Sequence, residues 1–231
     1  MSGARARCVR ALQCGGGQRW RAFALRWPAL AAVLVGVFAC APGTFSSWRA
    51  PPAWDRSANQ ANRIPGGQEC LEWLERLGIQ HRRLSAKPGV GTPVVIEGPI
   101  GGIRFFTQGR EELVCDCRLV LALDWSARLL QPMGVQAMNH SGAYVYRTTR
   151  SGRPSLHARG LAIDVHGIQV GEQWFWVKKD YQAGLRDGCK GPVLNDISCR
   201  LRHLRLFREL ITPDHNSDHH DHFHLGIPPL G

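Results

Sequence analysis

The chain has 231 residues, enough for one domain of ordinary size and a terminal tail. Hydrophobic residues make up 44% of it and charged residues 20%, which is typical of a loop-rich globular protein. The net charge is +11, but six Arg and no acidic residue lie in residues 1–40. The remaining net charge of +5 is scattered without a basic run, which argues against a nucleic-acid interface.

The N-terminal 40 residues have the layout of a secretory signal. The Arg-rich stretch precedes an apolar run over residues 27–40, and polar, Pro-rich sequence follows it. We expect export to the periplasm or cell envelope, and three fates are compatible with it: cleavage after Ala39 or slightly later, acylation of Cys40, or retention as a membrane anchor. The alternative is a buried N-terminal helix. Residues 1–40 are therefore predicted to be the signal or anchor, 41–66 a linker and 67–231 the folded domain.

The cysteine content agrees with an oxidising compartment. Five cysteines follow Cys40, so disulfides are expected, and the odd number leaves one unpaired or requires Cys40 as a partner. Cys189 and Cys199 close a short loop and are the first candidates for a bridge.

Helix and strand patterns alternate irregularly along the domain, which favours an α+β fold over a regular βαβ fold. Apolar spacing of three to four predicts helices at 69–77, at 117–130 with Asp116 as N-cap, and at 198–211. Short β-branched and aromatic runs predict strands at 93–96, 103–106, 135–138, 144–148, 161–165, 173–177 and 222–227. We expect Trp174, Phe175 and Trp176 to contribute to the core and its rim.

Five of the ten histidines lie between residues 215 and 224. The run Asp221-His222-Phe223-His224 falls on a predicted strand, where residues two apart share a face, about 6–7 Å apart. One imidazole can then bind a metal while the other approaches a nearby water molecule. A pH-sensitive surface or a chance pairing is the alternative. His219 and His220 are expected to be exposed neighbours, and the alternative is a supporting role behind the metal ligands. His166 is interpreted as the end of its strand because Gly167 follows it.

A second element with metal-binding residue types runs from Ser155 to Asp164. A fully extended path from His157 to Asp164 would span about 23 Å, so the chain must bend between them if both bind one ion, and Gly160 is the natural bend point. Asp164 lies in an apolar run, where a carboxylate is costly unless it is paired, hydrogen-bonded or metal-bound. A strand-end aspartate paired with an arginine is the alternative.

His157, Asp164 and His224 together offer two imidazoles and one carboxylate to a single zinc ion. Three protein ligands leave a fourth position open for water, which is typical of a catalytic zinc site. His222, next to the ligand His224, would then act as general base.

Residues 155–164 together with 221–224 resemble the bacterial extensin-like C-terminal domain family. That family is similar to the zinc peptidases that include lysostaphin-type enzymes, D-Ala-D-Ala carboxypeptidases and hedgehog domains. The resemblance covers about residues 68–227 and implies a small central antiparallel sheet with flanking helices. It also implies that His157, Asp164 and His224 bind zinc, that His222 is the base, and that Arg147 holds a substrate carboxylate or stabilises the oxyanion.

These observations predict an exported zinc peptidase that acts on peptidoglycan peptides, as a carboxypeptidase or an endopeptidase. The rival hypothesis is a non-catalytic, zinc-containing module that binds the cell wall. A third hypothesis is metal buffering by the His-rich segment, which predicts several weakly bound ions per chain instead of one tight ion.

Overall fold

The computed structural model describes residues 64–107, 109, 112–149, 151–185 and 188–230, all of which lie in one compact unit. The predicted signal, nearly all of the predicted linker and Cys40 lie outside the described residues. No helix in the described ranges is long and apolar enough to cross a membrane.

Two of the helices form where the sequence predicts them. The helices of the structure are α1 (Gly67–Arg76), α2 (Cys117–Leu130), α3 (Val177–Asp180) and α4 (Val193–His203). Asp116 caps α2 as predicted, because its carboxylate accepts a hydrogen bond of 2.9 Å from the backbone N–H of Arg118. Helix α2 is the centre of the core, with almost every residue buried.

The strands form a six-stranded sheet and a separate three-stranded sheet. They are β1 (His81–Arg83), β2 (Pro93–Ile96), β3 (Arg104–Phe106), β4 (Leu113–Asp116), β5 (Val135–His140), β6 (Ala162–Val170), β7 (Gln173–Trp176), β8 (Glu209–Ile211) and β9 (Phe223–Gly226). The smaller sheet has the order β1-β2-β4, and the larger has the order β3-β5-β6-β9-β8 with β7 also paired to β6. The α+β class is confirmed, although the larger sheet is mixed because β3 and β5 are parallel.

Strand β6 is the longest strand and organises the larger sheet. One of its edges pairs with β5. Along its other edge, residues 162–165 pair with β9 and residues 167–170 pair with β7. The strand therefore continues past Gly167, and the interpretation of His166 as a strand end is wrong.

The predicted helix at 198–211 is wrong in both bounds. Helix α4 begins at Val193 and ends at His203, and Arg205 then adopts a left-handed conformation with φ of 53°. The apolar spacing continues beyond that point, but Leu210 and Ile211 pair with β9 instead. Pairing across the sheet overrides the local helical pattern here.

The predicted strand at 144–148 is absent as well. An isolated bridge between Thr148 and Pro154 lies in this segment. The backbone of residues 144–148 instead forms hydrogen bonds with the segment that carries His157. Val145 N–H donates to His157 O at 3.2 Å, and Ser155 N–H donates to Arg147 O at 3.1 Å.

Two disulfides link described elements. The predicted Cys189–Cys199 bridge is confirmed, and a second bridge, Cys70–Cys117, joins α1 to the start of α2. Cys115 is the unpaired cysteine among the five. It is fully buried, and burial followed by the negative charge of Asp116 raises the pKa of its thiol far above the ordinary value, so it has a structural role.

Candidate metal centre

His157 lies on a short 3₁₀ turn, His157–Arg159, just before β6. Ser155 stabilises the start of the turn, since its Oγ accepts a hydrogen bond of 3.1 Å from the backbone N–H of Ala158. The ring of His157 is buried, with 2% exposure, and its Nδ1 lies 3.2 Å from the backbone oxygen of Ala143. Because a carbonyl oxygen only accepts, Nδ1 donates to Ala143 O, and Nε2 is the ring nitrogen that faces Asp164 and His224.

Gly160 makes the bend that brings the two halves of the motif together. Its φ of 64° is left-handed, a conformation that glycine adopts without steric cost. A Cβ at this position would lie 2.7 Å from the backbone nitrogen of Asp116. The turn is held to β4 by a hydrogen bond of 2.9 Å from Asp116 N–H to Gly160 O. The chain therefore reverses at Gly160, as predicted, before β6 begins.

Asp164 and His224 are direct partners in the antiparallel pairing of β6 and β9. Their side chains share one face of the sheet, and the Asp164 Oδ1 to His224 Nδ1 distance is 2.9 Å. His157 Nε2 lies 3.2 Å from each of these two atoms. The structure thus brings the three predicted ligands together, although they lie up to 67 residues apart in the chain.

The size of this triangle fits one zinc ion. Ligand atoms at about 2.0–2.1 Å from a tetrahedral zinc ion stand about 3.3 Å apart, close to the three separations of 2.9, 3.2 and 3.2 Å. The rings of His157 and His224 are buried and the carboxylate of Asp164 is only 14% exposed, so few solvent contacts compete for these atoms. His157, Asp164 and His224 are the residues that would hold the ion.

The carboxylates of Asp164 and Glu209 stabilise positive charge in the triangle. Burial on its own would raise the pKa of Asp164, but the hydrogen bonds and positive charges of His157 and His224 outweigh it and lower that pKa below the ordinary value. Burial likewise opposes the charged form of His224, yet Asp164 and Glu209 outweigh it and raise the pKa of His224 to about 9. A carboxylate this firmly ionised stabilises positive charge at the centre of the cluster.

Glu209 on β8 contacts His224 at Nε2, the ring nitrogen that is not part of the triangle. Its Oε2 lies 3.4 Å from His224 Nε2, an ion-pair distance without the alignment of a hydrogen bond, so Nε2 has no hydrogen-bond partner among the described residues. Contact with His224 lowers the pKa of Glu209, which keeps the carboxylate charged. A carboxylate behind a ligating imidazole orients the ring and raises its basicity. The mistaken helix at 198–211 hid this residue from sequence reasoning.

His222 lies just before β9 and beside the triangle. Its Nε2 is 3.6 Å from Asp164 Oδ1, and its Nδ1 is 2.8 Å from the Asp221 carboxylate oxygen Oδ1. Because Asp221 accepts the Nδ1 proton, Nε2 is left with a lone pair on the side of Asp164. Sequence reasoning assigned no role to Asp221, although its position next to His222 was visible.

The remaining predicted site residue is Arg147. It is exposed, in the segment before the His157 turn, and its backbone carbonyl accepts the hydrogen bond from Ser155 N–H. Its predicted role toward a substrate stays a prediction. His220 is exposed as expected, whereas His219 is half-buried with its ring centroid 5.1 Å from that of His222.

The fold and the cluster together define an α+β domain with two histidines and one aspartate converging at the centre of a mixed sheet. The sequence model of the family described as extensin-like protein C-terminus matches residues 68–229, and the chain belongs to that family. No curated protein and no solved structure matches the chain.

Proposed function

We propose that this protein is an exported zinc-dependent peptidase that hydrolyses peptide bonds of peptidoglycan, as a carboxypeptidase or an endopeptidase. The observation that carries the proposal is the triangle of His157 Nε2, Asp164 Oδ1 and His224 Nδ1 with a further imidazole, that of His222, beside it. A purely structural zinc site is closed by four protein ligands, whereas a catalytic site has three and an open position.

The resemblance to zinc peptidases supports the same choice of zinc ligands. It assigns the ligand roles to His157, Asp164 and His224, and these are the side chains that converge. We also propose that the sheet is arranged as in hedgehog domains or D-Ala-D-Ala peptidases. Export rests on the Arg-rich, apolar N-terminal segment, and the two disulfides are consistent with an oxidising compartment.

A zinc ion held by these ligands would polarise the scissile carbonyl and make a neighbouring water molecule easier to deprotonate. His222 Nε2 takes the proton from the attacking water, because its lone pair faces the ligand cluster. Asp221 fixes this tautomer through its 2.8 Å contact with Nδ1 and stabilises the imidazolium that forms. His222 then returns the proton to the leaving amine.

The residues around the triangle keep its geometry during this reaction. Ala143 O holds the ring of His157, and Glu209 holds the ring of His224 from the opposite side. Arg147, on the exposed segment before the His157 turn, contacts the substrate carboxylate or the developing oxyanion in this proposal.

Digestion of purified peptidoglycan tests the proposal. The zinc-loaded protein should release peptide products, a chelator should abolish the release, and added zinc should restore it. Mass spectrometry of the products separates loss of crosslinks, which indicates an endopeptidase, from loss of terminal residues, which indicates a carboxypeptidase. The zinc-loaded His222→Ala protein is the matched control because it keeps all three ligands.

Absence of any released peptide from protein that carries a full equivalent of zinc would contradict the proposal. Chelator-insensitive sedimentation with the wall polymer, without release, would instead indicate the non-catalytic binding module.

A further inference from the structure

A pair of histidines lies next to the paired residues Asp164 and His224. Asp164 and Val165 of β6 face His224 and Phe223 of β9. One further step of the same antiparallel register places His166 opposite His222. Residues two apart on a strand share a face, so this pair lies on the face of the triangle. The ring centroids of His166 and His222 are 5.2 Å apart.

Asp221 adds a carboxylate to this pair. One ligand atom from each of His166, Asp221 and His222 lies within 4.8 Å of the other two. All three residues are half-buried, so solvent can complete the coordination of a bound ion. Two imidazoles and one carboxylate repeat the donor set of the triangle, and this set suits zinc and similar divalent ions.

The strand arrangement explains why this second cluster is accessible. Residue 166 lies where β6 changes partner, since residues 162–165 pair with β9 and residues 167–170 pair with β7. His166 thus stands between the two partner strands, beside an open pocket of about 380 Å³ that it lines together with Trp176. A small ion can reach the cluster from this pocket.

We propose that His166, Asp221 and His222 bind a second zinc ion, separate from that of the triangle, and that this ion inhibits the enzyme. Binding occupies His222 Nδ1, whose proton moves to Nε2 of the same ring. His222 Nε2 then has no lone pair to accept a proton from water, and Asp221 no longer supports the base. The inhibition rests on the proposed function, but the binding does not.

A rival second site among the described residues is excluded by its chemistry. Cys189, Cys199 and His203 also lie close together, but the two sulfurs form a disulfide and offer no thiolate.

Native mass spectrometry at increasing zinc concentration tests the proposal. The wild-type protein should bind one ion at one equivalent and two ions in excess zinc. His166→Ala should keep the first ion and weaken the second by at least the roughly 10- to 100-fold that loss of a mere supporting group costs, and it should shift inhibition by excess zinc by the same factor. His215→Ala is the matched control, since His215 is exposed in the same His-rich segment and should leave both ions unchanged.

A second ion that binds His166→Ala as tightly as the wild type, or that is lost in His215→Ala, would overturn the proposal. Should the variant fold poorly, ¹⁵N-histidine NMR of the wild-type protein decides: the second equivalent of zinc should shift the ring nitrogens of His166 and His222, and unchanged resonances would overturn it. Both readouts are independent of hydrolysis. A second ion in a protein without peptidase activity contradicts the proposed function alone, and an active protein that binds one ion contradicts this inference alone.

Discussion

Asp164 and His224 face each other across β6 and β9, with Asp164 Oδ1 2.9 Å from His224 Nδ1. They are 60 residues apart in the sequence and come together solely through the register of two strands. A shift of β9 against β6 by one residue would turn His224 to the face opposite Asp164 and destroy the cluster. The sheet is therefore part of the candidate site.

His222 should be needed for turnover but not for zinc binding. In protein loaded with one equivalent of zinc, His222→Ala should keep the ion and lose about 10²- to 10⁴-fold in kcat, the usual contribution of a general base. Asp221→Asn should give a smaller loss in kcat, because the imidazole remains while its tautomer is no longer fixed. The measurement is peptide release with zinc content determined on the same sample. Full turnover in zinc-loaded His222→Ala would remove His222 from the mechanism.

Glu209 should tune the affinity for zinc. Its carboxylate contacts His224 Nε2 at 3.4 Å, and loss of such a partner costs about 10- to 100-fold in metal affinity. We expect Glu209→Ala near the lower end of that range because the Glu209 side chain is 46% exposed. Glu209→Gln, which keeps an acceptor, should lose less. Competition with a chromophoric chelator measures both variants, and an unchanged affinity in Glu209→Ala would show that His224 needs no support from β8.

Gly160→Ala should damage both fold and site. The left-handed φ of 64° costs a residue with a Cβ about 1–2 kcal/mol, and the added Cβ would press on the backbone of β4 at 2.7 Å. The variant should unfold at lower temperature and bind zinc more weakly, because His157 depends on this turn. Gly152→Ala is the control: its φ of 77° gives the same backbone strain, but no atom lies within 4 Å of the new Cβ. Equal zinc affinity in the two variants would contradict this role for Gly160.

The two disulfides should differ in their effect on stability. The Cys70–Cys117 bridge closes 47 residues and the Cys189–Cys199 bridge closes 10. Chain entropy then predicts losses in the free energy of unfolding of about 4 kcal/mol for the double Ala variant of the first pair and about 2.7 kcal/mol for that of the second. Urea unfolding of the two variants measures the difference. A larger loss from the second pair would show that strain or contacts dominate over loop closure.

Local patterns predicted the parts of the fold that depend on local chemistry. Asp116 could be recognised as an N-cap and Gly160 as a bend because capping and left-handed turns have strong residue preferences. The three ligand candidates were visible because a carboxylate in an apolar run and a His-x-His pair are unusual residue choices. Their convergence could only be hypothesised from the sequence, since it depends on strand pairing over long separations.

The errors arose where distant strands override local patterns. Leu210 and Ile211 continue the spacing of a helix, yet β9 recruits them into the sheet. This error also concealed Glu209. Gly167 suggests a strand end at His166, but β5 and β7 flank this glycine, and a Cβ there would meet the ring of Trp176 at 2.8 Å. The glycine is needed for close packing within the strand, and that misinterpretation hid His166 as a candidate ligand.

The zinc content of the intact protein tests the central claim most directly. Native mass spectrometry of protein dialysed against one equivalent of zinc should show one ion per chain in the wild type. In a His166→Ala background, which removes a ligand of the proposed second site, it should show no ion after His157→Ala, Asp164→Ala or His224→Ala, and one ion after His220→Ala, whose ring lies outside the triangle. A wild-type chain without zinc, or zinc retained at full occupancy after His224→Ala in that background, would contradict the account.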